Sequence, residues 1–268
     1  MRISFVGGGV MAEAMLSAAL AKEVVTPREV AVGEPVEERR RQLSQRYGVA
    51  TSQSNIQACA GAELVVLAVK PQHLGAVLQE LRGTLGATQG VVSIVAGASV
   101  QGLTQGLNHQ AVVRVMPNTP AQVGAGMSVW TATPQVSEQQ RAAARRFIQS
   151  FGHELYVTDE QYLDMATALS ASGPAFVFTF LEALVDGGVH IGLPRDMAQT
   201  LAEQTVAGSI ELARNTAKHP AELRNMVSSP GGTTVEGLLA LEEGGLRAAV
   251  VKAVIAAFEK SKKLAGAS

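Results

Sequence analysis

A short apolar run at residues 3–6 ends in Gly7-Gly8-Gly9, and a stretch with helical spacing, residues 11–20, begins directly behind it. A strand that feeds through a glycine turn into a helix is the opening unit of an open α/β sheet. In the frame Gly7-x-Gly9-x-x-Ala12, Gly7 permits the tight turn and Gly9 lets a pyrophosphate approach the backbone. Ala12 allows close helix–strand contact. Free N–H groups at the helix N-terminus hold the anion. A glycine turn with no ligand is the alternative, and the order strand, turn, helix argues against it.

The alternation continues through the first half of the chain. Residues 30–32 are strand-like, and the charged stretch 36–46 is helical. The runs at residues 63–71, 90–97 and 111–120 are continuously apolar and end in Gly or Pro, as strands buried on both faces do. Strands alternating with helices predict a parallel, doubly wound sheet. Residues 137–151 read as a helix with Ser137 as N-cap and Gln140 completing a capping box. "HELYV" follows as a short last strand.

From about Gln161 strand signals vanish, and apolar helices are expected at 175–189, 197–213 and 246–264. The expected architecture is a Rossmann-type domain over residues 1–160 and an all-helical domain over 161–268. The 175–189 helix is apolar nearly all round, so every face must be buried. It serves either as a central core helix or as a surface that packs on a second copy of itself.

Composition narrows the partners. Aromatic residues make up only 4%, so Ala, Val, Leu and Ile must build the core. The formal net charge of -1 gives no electrostatic case for nucleic acid or an anionic membrane. Cys59 is the only cysteine, which excludes an intrachain disulfide and a cysteine-based metal cluster. The five histidines are scattered without metal-ligand spacing, so no metal is expected. The N-terminus lacks the pattern of a signal peptide. The apolar stretch "GPAFVFTFLEALV" is broken by Pro174 and Glu182 and reads as too short to span a bilayer. A cytoplasmic protein is expected.

Two further features bear on ligands. Glu34 ends the second strand, where a carboxylate accepts from a ribose 2′-hydroxyl and repels a 2′-phosphate, favouring NAD. Arg39, Arg40 and Arg41 follow within two helical turns. They read equally as phosphate-reaching cations or as a solvated helix face. "SSPGGTTVEG", residues 228–237, interrupts the helical half with two glycines and four hydroxyl residues. It reads either as a helix cap or as an anion site made of freed N–H groups and hydroxyls.

"GGGVMAEAM", "LAVKPQ", "MPNTPAQVGAG" and "SGPAFVFTFLEALVDGGVHIGLPR", followed by "SSPGGTTVEGL", together resemble the pyrroline-5-carboxylate reductase family, which makes proline. The resemblance runs from near residue 1 to near 260. It implies a Rossmann domain followed by a helical domain that interlocks with a partner subunit as a homodimer, with larger assemblies of dimers also allowed. It implies NADP as cofactor, with NAD allowed by Glu34, and a small-molecule substrate carrying an imine nitrogen and a carboxylate.

Residue by residue, the resemblance places Gly7, Gly8, Gly9, Val10, Met11, Ala12, Glu34, Asn55, Ala68, Val69, Lys70, Pro71, Ala96, Gly97 and Asn118 at the cofactor. Thr119 and Pro120 lie beside the same expected nicotinamide site. Val227, Ser229, Gly231, Gly232, Thr233 and Thr234 are placed at the substrate, with Thr234 contacting the ring nitrogen and assisting its protonation. For Pro71 and Pro120, strand termination is the stronger expectation. A dehydrogenase of the 3-hydroxyacid group shares the plan but wants a lysine on the helical domain, and none lies between Met165 and Ala217. A non-catalytic dinucleotide-binding dimer is the third alternative.

Overall fold

A computed structural model describes residues 1–265. They form two compact units. One comprises Met1–Ser172 together with the chain from Ala257 onward, and the other is Gly173–Ala256.

The first unit is built on an eight-stranded sheet. Its strands are β1 (Ile3–Val6), β2 (Val30–Gly33), β3 (Ala50–Ser52), β4 (Leu64–Leu67), β5 (Gly90–Ser93), β6 (Val112–Met116), β7 (Gly126–Ala132) and β8 (Gly152–Tyr156). The spatial order is β3-β2-β1-β4-β5-β6-β7-β8. The order therefore reverses beside β1, whose Val6 pairs with Gly33 on one side and Leu67 on the other. A reversal of this kind opens a ligand crevice at the carboxyl ends of the strands. The helices are α1 (Val10–Ala21), α2 (Glu37–Tyr47), α3 (Asn55–Cys59), α4 (Pro71–Leu81), α5 (Val100–Leu107) and α6 (Glu138–Gln149).

β1, β4, β5 and β6 are buried along their whole length, as the continuous apolar runs predict. One cluster packs α1 and α6 on one side, around Met15, Leu16 and Phe147. The other gathers Val77, Leu81, Leu103 and Leu107 from α4 and α5. The few aromatic rings concentrate in the first cluster, where Phe5 and Phe151 both set an edge against Phe147. The capping box at Ser137 and Gln140 forms as expected.

The sheet departs from an all-parallel one at a single junction. β7 runs antiparallel to β6. Residues 117–125 connect them through the 3₁₀ turn Thr119–Val123, and a parallel crossover needs about a dozen residues or more. β8 then pairs parallel to β7 across α6.

After β8 the chain is helical. α7 (Gln161–Ala166) runs into a π-helical turn, Thr167–Ala171, which leads to α8 (Gly173–His190). α7 stays with the sheet unit because Arg114 on β6 holds Glu160 at 2.7 Å and Asp164 at 2.9 Å. The π turn joins α7 to α8, so the helical stretch Gln161–His190 is longer than the sequence suggests. By length and composition it could cross a membrane. Pro174 does not interrupt it, because it sits at the start of α8, where the missing N–H costs nothing.

The second unit contains α8, α9 (Arg195–Thr216), α10 (Pro220–Met226), α11 (Thr233–Glu243) and the first part of α12 (Leu246–Ala265). Its buried apolar cluster is small. Val185, Ala198 and Ala202 form it where α8 packs on α9. Phe178, Ile210, Leu239, Val251 and Ile255 are exposed, with Phe178 at 60%.

Candidate functional site

The glycine turn is shaped by close approach. Gly7 has φ +94°, and a Cβ there would lie 2.9 Å from Ala68 O and Val69 Cγ1. Only glycine fits that conformation and that gap. Gly7 N donates to Gly33 O at 2.8 Å, which ties the end of β1 to β2. Gly8 is buried with both backbone groups engaged. Its N–H donates to Glu34 Oε2 at 2.9 Å, and its carbonyl accepts from Arg39 Nε at 2.6 Å. Gly9 is the N-cap of α1 in extended conformation, and its carbonyl accepts from Glu13 N. The N–H groups of Gly9, Val10, Met11 and Ala12 donate to no group among the described residues. Gly9 and Val10 are exposed. These four donors at the start of a three-turn helix form a ready anion site.

Glu34 lies over this turn. Besides Gly8, its carboxylate accepts from Val36 N at 2.9 Å, so both oxygens are fixed by backbone donors. Of the neighbouring arginines, Arg39 and Arg40 turn toward the protein backbone. Arg39 reaches Gly8 O and pairs with Glu13 at 2.5 Å. Arg40 Nη1 donates to Glu34 O at 2.8 Å and Pro35 O at 2.7 Å. Arg41 pairs with Glu37 and Glu38 on its own helix. Of the two alternatives for these arginines, Arg41 fits the solvated face, while Arg39 and Arg40 brace the backbone.

The remaining residues expected at the cofactor gather along the same carboxyl edge of the sheet. Asn55 starts α3, and its Nδ2 donates to Glu80 Oε2 at 2.7 Å. Ala68 and Val69 follow β4 and line the gap at Gly7. Lys70 caps α4 from an exposed position, with Pro71 as its first residue. Ala96 is exposed beyond β5, and Gly97 adopts φ +77°. Asn118 follows β6. Its Oδ1 accepts from Met127 N at 2.8 Å, and its Nδ2 donates to Ser170 O at 3.2 Å and Ser170 Oγ at 3.3 Å. Asn118 therefore ties β7 to the π turn. Thr119 and Pro120 open the 3₁₀ turn behind it.

The residues expected at the substrate belong to the second unit, on the loop from α10 to α11. Val227 is 64% exposed. Ser228 Oγ donates back to Arg224 O at 2.8 Å and closes α10. Gly231 takes φ +68°, and a Cβ on Gly232 would sit 2.5 Å from Ser229 Oγ. Gly232 is the N-cap of α11, and no side chain caps that helix. The hydroxyls of Ser229, Thr233 and Thr234 engage no group among the described residues, and neither do the N–H groups of Gly231, Thr233 and Thr234. The cap reading of this loop would require at least one of those hydroxyls to accept from the helix backbone.

Sequence patterns gave no sign of three contributors. Glu13, in the first turn of α1, receives Arg39, Arg46 and Tyr47. Burial pushes its carboxyl up, and the hydrogen bonds from Arg39 and Tyr47 with the two guanidinium charges outweigh that and hold it below the usual range. Glu80 and Ser170 are the others. Each acts through a partner distant in sequence, so no local pattern marks it.

Known proteins resemble this chain along nearly its whole length. Residues 160–264 match the family model described as pyrroline-5-carboxylate reductase dimerisation. Residues 2–97 match the model of coenzyme F420-dependent NADP oxidoreductases. A pyrroline-5-carboxylate reductase of Synechocystis is 45% identical over 98% of both chains. A solved pyrroline-5-carboxylate reductase of Coxiella burnetii superimposes with a TM-score of 0.90 at 35% identity, over 98% of both chains. The Plasmodium falciparum pyrroline carboxylate reductase, solved with NADP bound, gives a TM-score of 0.90 at 29% identity, covering 99% of this chain and 98% of that one. With near-complete coverage in both directions and these levels of identity, the chain belongs to the pyrroline-5-carboxylate reductase family.

Proposed function

We propose that this protein reduces 1-pyrroline-5-carboxylate to L-proline and prefers NADH as the hydride donor. One observation carries the substrate assignment: the start of α11 presents three hydroxyls and three N–H groups that the protein itself does not use. Unsatisfied donors on a glycine-shaped helix N-terminus suit a carboxylate. The N–H groups of Gly231 and Thr233 and the Ser229 hydroxyl hold that carboxylate, Gly232, whose own N–H closes the turn on Ser229 O, leaves room beside them, and Val227 gives the ring an apolar wall. Thr234 Oγ1 holds the ring nitrogen and relays a proton to it. A hydroxyl is a weak acid, so the proton comes ultimately from water or from an iminium already protonated.

The cofactor is held by the edge that carries Gly7 to Ala12. The free N–H groups at α1 take the pyrophosphate, and Glu34 takes the adenosine ribose. When bound, the reduced nicotinamide supplies the hydride that adds to the imine carbon. The preference for NADH rests on Glu34, whose fixed carboxylate would face a 2′-phosphate with no uncommitted guanidinium beside it. The resemblance to the family by itself implies NADP; the local charges favour NADH.

The assembly we propose is a homodimer through the helical unit. Support comes from exposed Phe178, Ile210 and Leu239 around a three-residue buried cluster, and from the dimerisation model matched there. A second copy covers the apolar face of α8, which otherwise matches a membrane span in length. Larger assemblies of dimers are compatible with this face. Both ligands are charged, water-soluble molecules, which suits the cytoplasm.

The test is turnover. Purified protein with NADH and pyrroline-5-carboxylate should lose reduced-nicotinamide absorbance and form proline in equal amounts. Cofactor binding without turnover would support a non-catalytic dimer instead.

A further inference from the structure

Glu13 poses a question of charge. It sits in the first turn of α1, one turn from the N–H groups that await a pyrophosphate. A carboxylate there opposes an incoming anion. Only 18% of its side chain is accessible, and the Arg39 side chain opposite is 24% accessible. Three groups from α2 converge on it: Arg39 Nη2 at 2.5 Å, Arg46 Nη1 at 2.9 Å and Tyr47 Oη at 2.8 Å. The same Arg39 donates from Nε to Gly8 O at 2.6 Å. Gly8 is thereby gripped from both sides, because its N–H goes to Glu34 at 2.9 Å.

From this geometry we propose that Arg39, oriented by Glu13, is a positioning residue that clamps the glycine turn in its cofactor-binding shape. The proposal rests on the assignment of that turn to a nicotinamide dinucleotide. The guanidinium is a rigid fork, and here two of its nitrogens, Nε and Nη2, serve two elements at once. One nitrogen, Nε, fixes the peptide whose N–H, on Gly9, is the first of the anion-binding donors. The other locks the fork to α1, the helix those groups open. Glycine turns carry high conformational freedom, so fixing the Gly8 carbonyl removes an ordering cost from cofactor binding. Glu13 stays beside an anion site because it orients Arg39.

A clamp differs from two simpler roles. If Arg39 read a 2′-phosphate, its loss would weaken NADPH alone. If it acted only as a positive charge near the pyrophosphate, lysine would replace it, and removing the Glu13 charge would tighten binding. The clamp predicts the opposite for both. Lysine has one terminal donor group and cannot serve Gly8 O and Glu13 in the same fork geometry.

The experiment is calorimetric titration of NADH and of NADPH into wild type, Arg39→Met, Arg39→Lys and Glu13→Gln. Hydrogen exchange at the Gly8 amide and melting curves accompany it. The expected result is a loss of about tenfold in affinity for both cofactors in Arg39→Met, the scale of one charge-assisted hydrogen bond. The NADH to NADPH ratio should stay as in wild type. Arg39→Lys should recover little, and Glu13→Gln should weaken binding rather than tighten it. Exchange at the Gly8 amide should rise in both Arg39 variants. Should Arg39→Met fail to fold, Glu13→Gln still decides through the sign of its effect. Unchanged affinity in Arg39→Met, a loss confined to NADPH, full recovery in Arg39→Lys, or tighter binding in Glu13→Gln would each overturn the clamp. Wild type that binds neither cofactor would overturn the cofactor assignment and the clamp with it. Wild type that binds while the variants bind equally well would overturn the clamp alone.

Discussion

Arg114 Nη1 lies 2.7 Å from Glu160 Oε1, so a guanidinium inside the sheet is paired with a carboxylate just ahead of α7. Arg114 is 2% exposed, and its second amino group meets Asp164 at 2.9 Å. The same Glu160 oxygen accepts from Val100 N at the start of α5, so one carboxylate binds three elements. Breaking a fully buried pair costs about 3–5 kcal/mol. Glu160 is 32% exposed, so water recovers part of that. Glu160→Ala should therefore destabilise the sheet unit by about 2–3 kcal/mol. Denaturant unfolding followed by the Trp130 signal measures it. An unchanged midpoint would mean that Asp164 alone satisfies Arg114.

The cofactor preference has its own test at Glu34. Glu34→Ser removes the carboxylate and leaves the turn glycines in place. It should improve NADPH relative to NADH by about 1–3 kcal/mol, the scale of a charge-assisted contact. Steady-state constants with both cofactors give the ratio. A ratio equal to wild type would mean that the carboxylate does not face the ribose.

Much of this architecture can be read from the order of residues, and the exceptions have physical causes. β1, β4, β5 and β6 announce themselves because strands buried on both faces are continuously apolar. β7 does not, since Ser128 and Thr131 are buried within it and disguise the run. α4 and α5 carry Gly75, Gly102 and Gly106 inside their helical spans, which weakens their signal. The π turn is defined by backbone hydrogen bonds and has no residue pattern of its own. The glycine turn and the 228–237 loop are visible because glycine spacing encodes them locally. What Arg39, Arg40 and Asn118 do is set by partners brought near through packing, so their side chains are recognisable in the sequence and their bonds are not.

The dimer is tested at Phe178, which is 60% exposed on α8. If a second copy covers it, Phe178→Asp buries an unpaired charge at the interface. The variant should dissociate or unfold where wild type sediments as a dimer. A wild type that remains a stable, active monomer at every concentration would contradict the interface.

Acidification should act on the turn through Glu13. Partial burial raises its pKa, but the hydrogen bonds from Arg39 and Tyr47 and the charges of Arg39 and Arg46 lower it further, to below the usual range. A carboxyl depressed in the folded state contributes stability that is complete above its unfolded pKa. That contribution is lost as pH falls through the folded value. Wild type should therefore lose stability in acid below the ordinary glutamate range. Glu13→Gln should show a smaller loss over the same interval. Parallel pH profiles for the two proteins would place the acid-sensitive group elsewhere.

Thr234 gives the most direct test of the central claim, that the α10–α11 loop holds the substrate and serves its ring nitrogen. Its hydroxyl caps nothing, so Thr234→Ala should leave the fold almost intact. Steady-state kinetics with pyrroline-5-carboxylate is the measurement. An interaction made mainly in the transition state lowers kcat and kcat/KM together. A positioned acid contributes about 10²–10⁴-fold, and an uncharged hydroxyl relay belongs at or below the lower end, so a loss of about 100-fold or less is expected. Cofactor affinity should stay at the wild-type value, and Thr234→Ser should recover most of the activity. A Thr234→Ala protein that keeps full turnover but melts well below wild type would contradict the account and leave the loop as a helix cap.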